Sequence, residues 1–93
     1  GDIAEAIKVA PKNAYLFYNR GNLYAAAKNY SRAIDDYSRA IEIDPNFAEA
    51  YLNRGLARCY SGKTTDGLHD FSKAGELGLY NAYAISKQLS RKK

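Results

Sequence analysis

The chain has 93 residues, enough for one domain with a modest core, and carries 14 Lys and Arg against 10 Asp and Glu. Three of those cations, Arg91, Lys92 and Lys93, close the C-terminus; without them the excess falls from four to one, eleven against ten, so no basic face for a row of phosphates is expected and nucleic acid is not the expected partner. No apolar run approaches the roughly 18 to 20 residues of a membrane helix, and no charged-then-apolar leader is visible, so a soluble chain with no membrane partner is expected; its compartment stays open, with the cytoplasm favoured.

The first predicted helix runs from Gly1 to about Val9, with Ile3, Ala6 and Ile7 as its apolar positions. Asn13 then caps a second helix from Ala14 to about Ala27, on which Phe17, Gly21 and Tyr24 share one stripe. Lys28-Asn29-Tyr30 is so short a connection that the next helix, from about Ser31 to Ile43, must lie antiparallel to it. Its stripe is Ala33, Ile34, Tyr37, Ala40 and Ile41, and Asp44-Pro45 ends it because the residue before Pro is pushed out of the helical region.

A fourth helix is predicted from Ala48 to about Ser61, with Asn46 and Glu49 forming a capping box at its entry. The fifth, from about Thr65 to Leu77, has Gly62, Gly67, Gly75 and Gly78 in or around it. Gly78 reads as a C-terminal stop. Gly67 and Gly75 cost on the order of 1 kcal/mol each relative to Ala, and should loosen this helix and speed its amide exchange. A last helix from Ala82 has an apolar side of Tyr83, Ile85 and Leu89 on otherwise polar chemistry, suited to covering the end of a stack.

These elements repeat. Asn19-Arg20-Gly21 returns 34 residues later as Asn53-Arg54-Gly55, and the same offset relates Phe17 to Tyr51, Ala33 to Gly67, Tyr37 to Phe71, Ala40 to Ala74 and Pro11 to Pro45. Residues 14–47 and 48–81 are therefore complete units, 1–13 the second half of a truncated one, and 82–93 a capping helix with a basic tail. The chain has no Met and Gly1 is not a translation start, so a piece of a longer array is expected.

Phe17, Gly21, Tyr24, Ala33, Tyr37, Ala40 and Pro45 resemble the motif of the tetratricopeptide repeat family. The second unit departs from it at Arg58, Gly67 and Leu79. The resemblance implies an all-α, right-handed superhelical solenoid of antiparallel helix pairs, whose first helices line a concave groove that binds peptides or partner proteins. The small residues agree: Gly21 and Ala33 would let paired helices approach, with aromatics filling the space around them.

No constellation for catalysis, a cofactor or a metal is present, and none of the three is expected. His69 adjoins Asp70, but neighbours in sequence do not face each other on a helix, so an idle, exposed His is expected. Cys59 is the only cysteine, with no partner for a disulfide or zinc cluster. Arg58 beside it would lower its thiol pKa if the two were close; a small filler near the groove wall is the alternative. Arg20 and Arg54 fall near the packing stripe, where Asp36 and Asp70, again 34 residues apart, are plausible ion-pair partners. Arg32, Asp35, Asp36 and Arg39 also read as a solvated outer face.

The candidate peptide-binding residues lie on the first helices: Tyr15, Asn19 and Asn22; Glu49, Asn53, Leu56 and Tyr60; and Tyr83 and Lys87 on the last helix. Amides donate to and accept from a peptide backbone, and tyrosines add an apolar face with a polar tip. One subset of the family grips a peptide's terminal carboxylate with two Lys, two Asn and an Arg. Asn22 and Asn53 match the Asn places and Lys87 stands at the Arg place, but Tyr18 and Tyr83 hold the Lys places, so most of that charge is absent. A protein-interaction scaffold is the expected function. The alternative is self-association, as a homodimer through the N-terminal edge at Ile3 and Ile7.

Overall fold

The computed structural model describes residues 3–79. Within them the chain forms α1 (Ile3–Val9), α2 (Ala14–Ala26), α3 (Tyr30–Ile43), α4 (Ala48–Tyr60) and α5 (Thr64–Glu76), with no strand among the described residues. The helix expected from Ala82 lies outside them. Consecutive helices pack in order, α1 on α2, α2 on α3, α3 on α4 and α4 on α5, and α2 also touches α4.

Local chemistry sets the boundaries. Asn13 accepts the Tyr15 amide at 3.0 Å and starts α2; Asn29 accepts the Arg32 amide at 3.4 Å and starts α3. The capping box expected at α4 does not form. The cap position is Phe47, with no side-chain hydrogen bond, because Asn46 is held one step earlier: its amide donates to Asp44 Oδ1 at 3.1 Å in a turn around Pro45. At the other ends, α2, α4 and α5 each stop on a left-handed residue: Lys28 (φ 62°), Gly62 (φ 88°) and Gly78 (φ 113°). The following amides reach back to Tyr24, Arg58 and Ala74 carbonyls at 2.8, 2.7 and 3.0 Å.

Three apolar clusters run along the stack. Phe17, Ala40 and Ala50 are packed by Ile7, Ile41 and Phe47. Ala33, Tyr37 and Ala57 are packed by Tyr24, Ala25 and Ile34. Phe71 and Ala74 are packed by Tyr51, Leu52, Leu56, Cys59 and Leu68. Tyr37 and Phe71 are the large rings at the centre, and each lies over the glycine of its paired helix: a Cβ on Gly21 would sit 2.7 Å from Tyr37, and one on Gly55 2.7 Å from Phe71.

Gly67 has a packing reason that the expectation of a loosened α5 did not include. A Cβ there would fall 2.5 Å from Cys59 Sγ and 2.7 Å from the Gly55 carbonyl oxygen, so Gly55 and Gly67 face each other where α4 and α5 come closest. The missing side chain is what allows that approach. Gly75 is likewise buried.

The two repeated Arg–Asp pairs form, and both carboxylates are buried. Asp36 is 1% exposed, not part of a solvated face. It takes Arg20 Nε and Nη2 at 2.8 and 2.9 Å and Arg39 Nη1 at 2.9 Å. Asp70 takes Arg54 Nε and Nη2 at 3.0 and 2.8 Å and Arg58 Nη1 at 2.8 Å. A buried carboxylate needs such saturation, because losing its hydration is offset only by several charged donors. Donating to Asp36 raises the Arg20 pKa against the opposing effect of burial. Arg54 also donates to Ser38 Oγ at 3.1 Å, tying α4 to α3 of the preceding pair.

Candidate binding face

Successive residues on a helix turn by about 100°, so Arg20 and Asn22 project from nearly opposite sides of α2. The arginines of α2 and α4 go to the buried aspartates; Asn22 goes the other way, to meet α4. There Asn22 Oδ1 accepts from the Tyr37 hydroxyl at 2.6 Å and from Asn53 Nδ2 at 2.9 Å, and Asn53 Nδ2 also donates to the Tyr18 hydroxyl at 3.1 Å. This chain of uncharged polar groups joins the first helices of two adjacent pairs. Burial, reinforced by the neighbouring Tyr18, pushes the Tyr37 hydroxyl pKa up to about 12, so it remains a proton donor at neutral pH.

Around this link the predicted stripe is partly assembled. Tyr15 is 62% exposed, with its ring 5.9 Å from Tyr18 in an edge contact and 5.7 Å from Phe47. Asn19, half-buried on the same helix, makes no side-chain hydrogen bond among the described residues. Glu49 is exposed at the start of α4. Leu56 packs against Phe71 and Ala74 and so belongs largely to the core. Tyr60, 70% exposed, stacks on Tyr30 at 5.6 Å at the far end of α4. Tyr83 and Lys87 lie outside the described residues.

Two contributors were not among the candidate site residues. Tyr18 shares the Tyr15–Asn22 stripe at spacings of three and four, a signal present in the sequence. Phe47 precedes its helix, so no helical periodicity could point to it; its ring lies 4.8 Å from Tyr18. Cys59 is a small filler at the α4–α5 contact and not an activated thiol. It packs against the Phe71–Ala74 cluster, and its thiol pKa is raised, by burial first and then by Asp70. Arg58 does not activate it, because its guanidinium is bound to Asp70. His69 is exposed.

Asn53 holds Asn22 and Tyr18 across the α2–α4 contact. Its removal therefore weakens the stack as well as any binding.

Sequence profiles of the tetratricopeptide repeat match residues 14–47 and 37–69. The chain is 34% identical over 84 residues to the small glutamine-rich tetratricopeptide repeat-containing protein 2 of Saccharomyces cerevisiae, covering 90% of this chain and 24% of that protein. It thus spans about a quarter of that relative's length. Among solved structures, the tetratricopeptide domain of Arabidopsis OM64 is 30% identical with a TM-score of 0.90, covering 97% of this chain and 75% of that one. The second such domain of human RPAP3, solved in complex with the HSP70 peptide SGPTIEEVD, is 28% identical with a TM-score of 0.87, covering 95% and 75%. The chain belongs to the tetratricopeptide repeat family, and its paired helices are an all-α solenoid of those repeats.

Proposed function

We propose that this chain is an interaction module that holds a peptide segment of another protein along the α2–α4 face. The carrying observation is the Tyr18–Asn53–Asn22–Tyr37 link, which aligns the first helices of two units and leaves Tyr15, Asn19 and Glu49 beside it for a ligand. The peptide complex of the related human domain supports the same surface type. Tyr18 and the amides suit hydrogen bonding to a peptide backbone more than capture of a terminal carboxylate.

Peptide display against the immobilised chain, followed by titration of the best binder into isotope-labelled protein, tests this. Shifts should concentrate at Tyr15, Asn19, Asn22, Glu49 and Asn53, while His69, Arg32 and Arg39 stay quiet. Asn19→Ala should weaken binding by about 1 kcal/mol without lowering the melting temperature, since Asn19 makes no side-chain hydrogen bond among the described residues. Failure to enrich any peptide, or shifts gathered at Ile3 and Ile7, would count against it. Self-association stays as the alternative, checked by sedimentation at rising concentration. It is the weaker reading, because Ile7 already packs against the Phe17–Ala40–Ala50 cluster.

A further inference from the structure

Where the turn before α2 passes the turn before α4, the surface opens into a cleft of about 950 Å³. One wall is Pro11, Lys12 and Tyr15; the other is Ile43, Asp44, Phe47 and Glu49. Its shape follows from the sequence. Pro45 turns the chain sharply after α3, and Phe47, having no polar capping group, presents a ring where another helix would place a Ser or Asp. Tyr15 and Ile43, two of the large apolar residues that the described surface leaves exposed, both open into this cleft. Exposed apolar side chains gathered around one concavity mark a contact surface.

The charge of the cleft narrows the ligand. Among the described residues, Asp44 and Glu49 meet a single cation, Lys12, in the lining. No described guanidinium lines it: Arg20, Arg39, Arg54 and Arg58 are bound to Asp36 or Asp70, and Arg32 lies over Tyr24. An acidic segment would meet two carboxylates here; a basic one would be answered by them.

We propose that this cleft receives a bulky apolar side chain, aromatic by preference, whose neighbour in the partner's sequence is Lys or Arg. The ring packs over the Tyr15–Phe47 pair, whose own rings lie 5.7 Å apart, in the edge or offset geometry that aromatic faces favour, and the cation reaches Asp44 and Glu49 at the lip. The inference rests on the peptide-binding reading and adds the chemistry of the segment that is read.

The test uses three acetylated, amidated hexapeptides, Gly-Ser-Phe-Arg-Ser-Gly and its Phe-Glu and Ala-Arg counterparts, together with SGPTIEEVD. Each is titrated into isotope-labelled protein. The Phe-Arg peptide should shift Tyr15, Phe47 and Glu49 and bind about three- to tenfold more tightly than the Phe-Glu peptide, as expected of one or two exposed charge pairs. That preference should shrink at high salt. Asp44→Asn combined with Glu49→Gln should abolish the Arg-over-Glu preference while keeping the Phe-over-Ala preference; Asn at 44 keeps the oxygen that accepts the Asn46 amide. Tyr15→Ala should weaken both Phe peptides alike. Equal binding of the Phe-Arg and Phe-Glu peptides overturns the proposal. Shifts only at Asn22 and Asn53, with Tyr15 and Phe47 quiet, overturn the cleft but keep the groove. Shifts at neither place, by any of the four peptides, overturn both.

Discussion

The α2–α3 and α4–α5 pairs are built on one plan, yet the contacts that repeat are not always made by the residues that repeat. Each buried aspartate takes a fork of hydrogen bonds from the equivalent arginine, Arg20 or Arg54, but the second donor differs. For Asp36 it is Arg39, from the same helix; for Asp70 it is Arg58, from the paired helix, at the position where the earlier unit has Tyr24. Lys73, at the place of Arg39, pairs with Glu76 instead. Likewise Tyr37 has a hydroxyl and faces Asn22, while Phe71 has none and faces Leu56. The 34-residue register thus preserves charge balance and polar satisfaction, and lets identity drift in compensating pairs.

The largest break in this symmetry should come at the carboxylates. Asp70→Ala strands Arg54 and Arg58, whose side chains are 15% and 24% exposed, whereas Asp36→Ala strands Arg20 and Arg39, at 25% and 52%. Removing one member of a buried ion pair costs about 3 to 5 kcal/mol. Urea unfolding should place Asp70→Ala near the top of that range and Asp36→Ala lower, because Arg39 can turn back to water. The reverse order would mean that the second pair tolerates its charges better than its burial implies.

Gly67→Ala comes next. Helix propensity alone predicts a gain of about 1 kcal/mol. Against it stands a Cβ at 2.5 Å from Cys59 Sγ and 2.7 Å from the Gly55 carbonyl, and overpacking of this kind costs roughly 1 to 3 kcal/mol. A net loss is expected, read as a lower melting temperature. Cys59→Ala in the Gly67→Ala background should recover part of it, and the Gly55 carbonyl fixes the rest. A stabilised Gly67→Ala would restore the loosened-helix reading that the sequence suggested.

That reversal shows what a single chain reveals and what it hides. The five helices of the described residues, the Arg20–Asp36 and Arg54–Asp70 pairs and the Gly78 stop were legible, because each depends on spacing within one unit or on a repeated residue type. Gly67 was not, since its reason is the carbonyl of Gly55 on another helix. The Asn46 cap failed because Asp44 competes for the same backbone, and propensity does not rank two adjacent capping residues. The candidate face was half legible. Tyr15, Asn19, Asn22 and Asn53 follow from periodicity, whereas the Asn22–Asn53 bond and the Phe47 wall depend on how one unit sits against the next.

A smaller effect should appear at Tyr37, and it depends on pH. Its hydroxyl pKa is about 12 in the folded chain against an unfolded value near 10, so folding favours the protonated form. The stabilisation is therefore complete below pH 10 and is lost as pH rises toward 12, on the order of 1 to 2 kcal/mol. Tyr37→Phe should remove that part of the alkaline sensitivity, making the first pair resemble the second. Paired with Asn22→Leu, it should cost less than the two single changes added, since Asn22→Leu alone leaves the Tyr37 hydroxyl without its acceptor. Additive losses would show that the hydrogen bond contributes little at this junction.

The smallest predicted effect, a gain, concerns how the first helices end. Lys28 and Gly62 occupy equivalent left-handed positions, with φ of 62° and 88°, and the next amide closes back onto Tyr24 or Arg58 at 2.8 or 2.7 Å. The hydrogen bonds are alike, so the difference between the two stops is confined to the Cβ that Lys28 must carry in a conformation costing roughly 1 to 2 kcal/mol for an L-residue. Lys28→Gly relieves that strain but makes the unfolded chain more flexible, which takes back about half of it. The net should be a stabilisation of about 0.5 to 1 kcal/mol, a rise of a few degrees in melting temperature. Gly62→Lys should lower stability by a similar amount, and for the same reason alone, because a Cβ at Gly62 meets nothing within 4 Å. Unequal magnitudes in the two exchanges would show that the long side chain of Lys28 makes a favourable contribution of its own at the helix end, where a cation faces the exposed carbonyls.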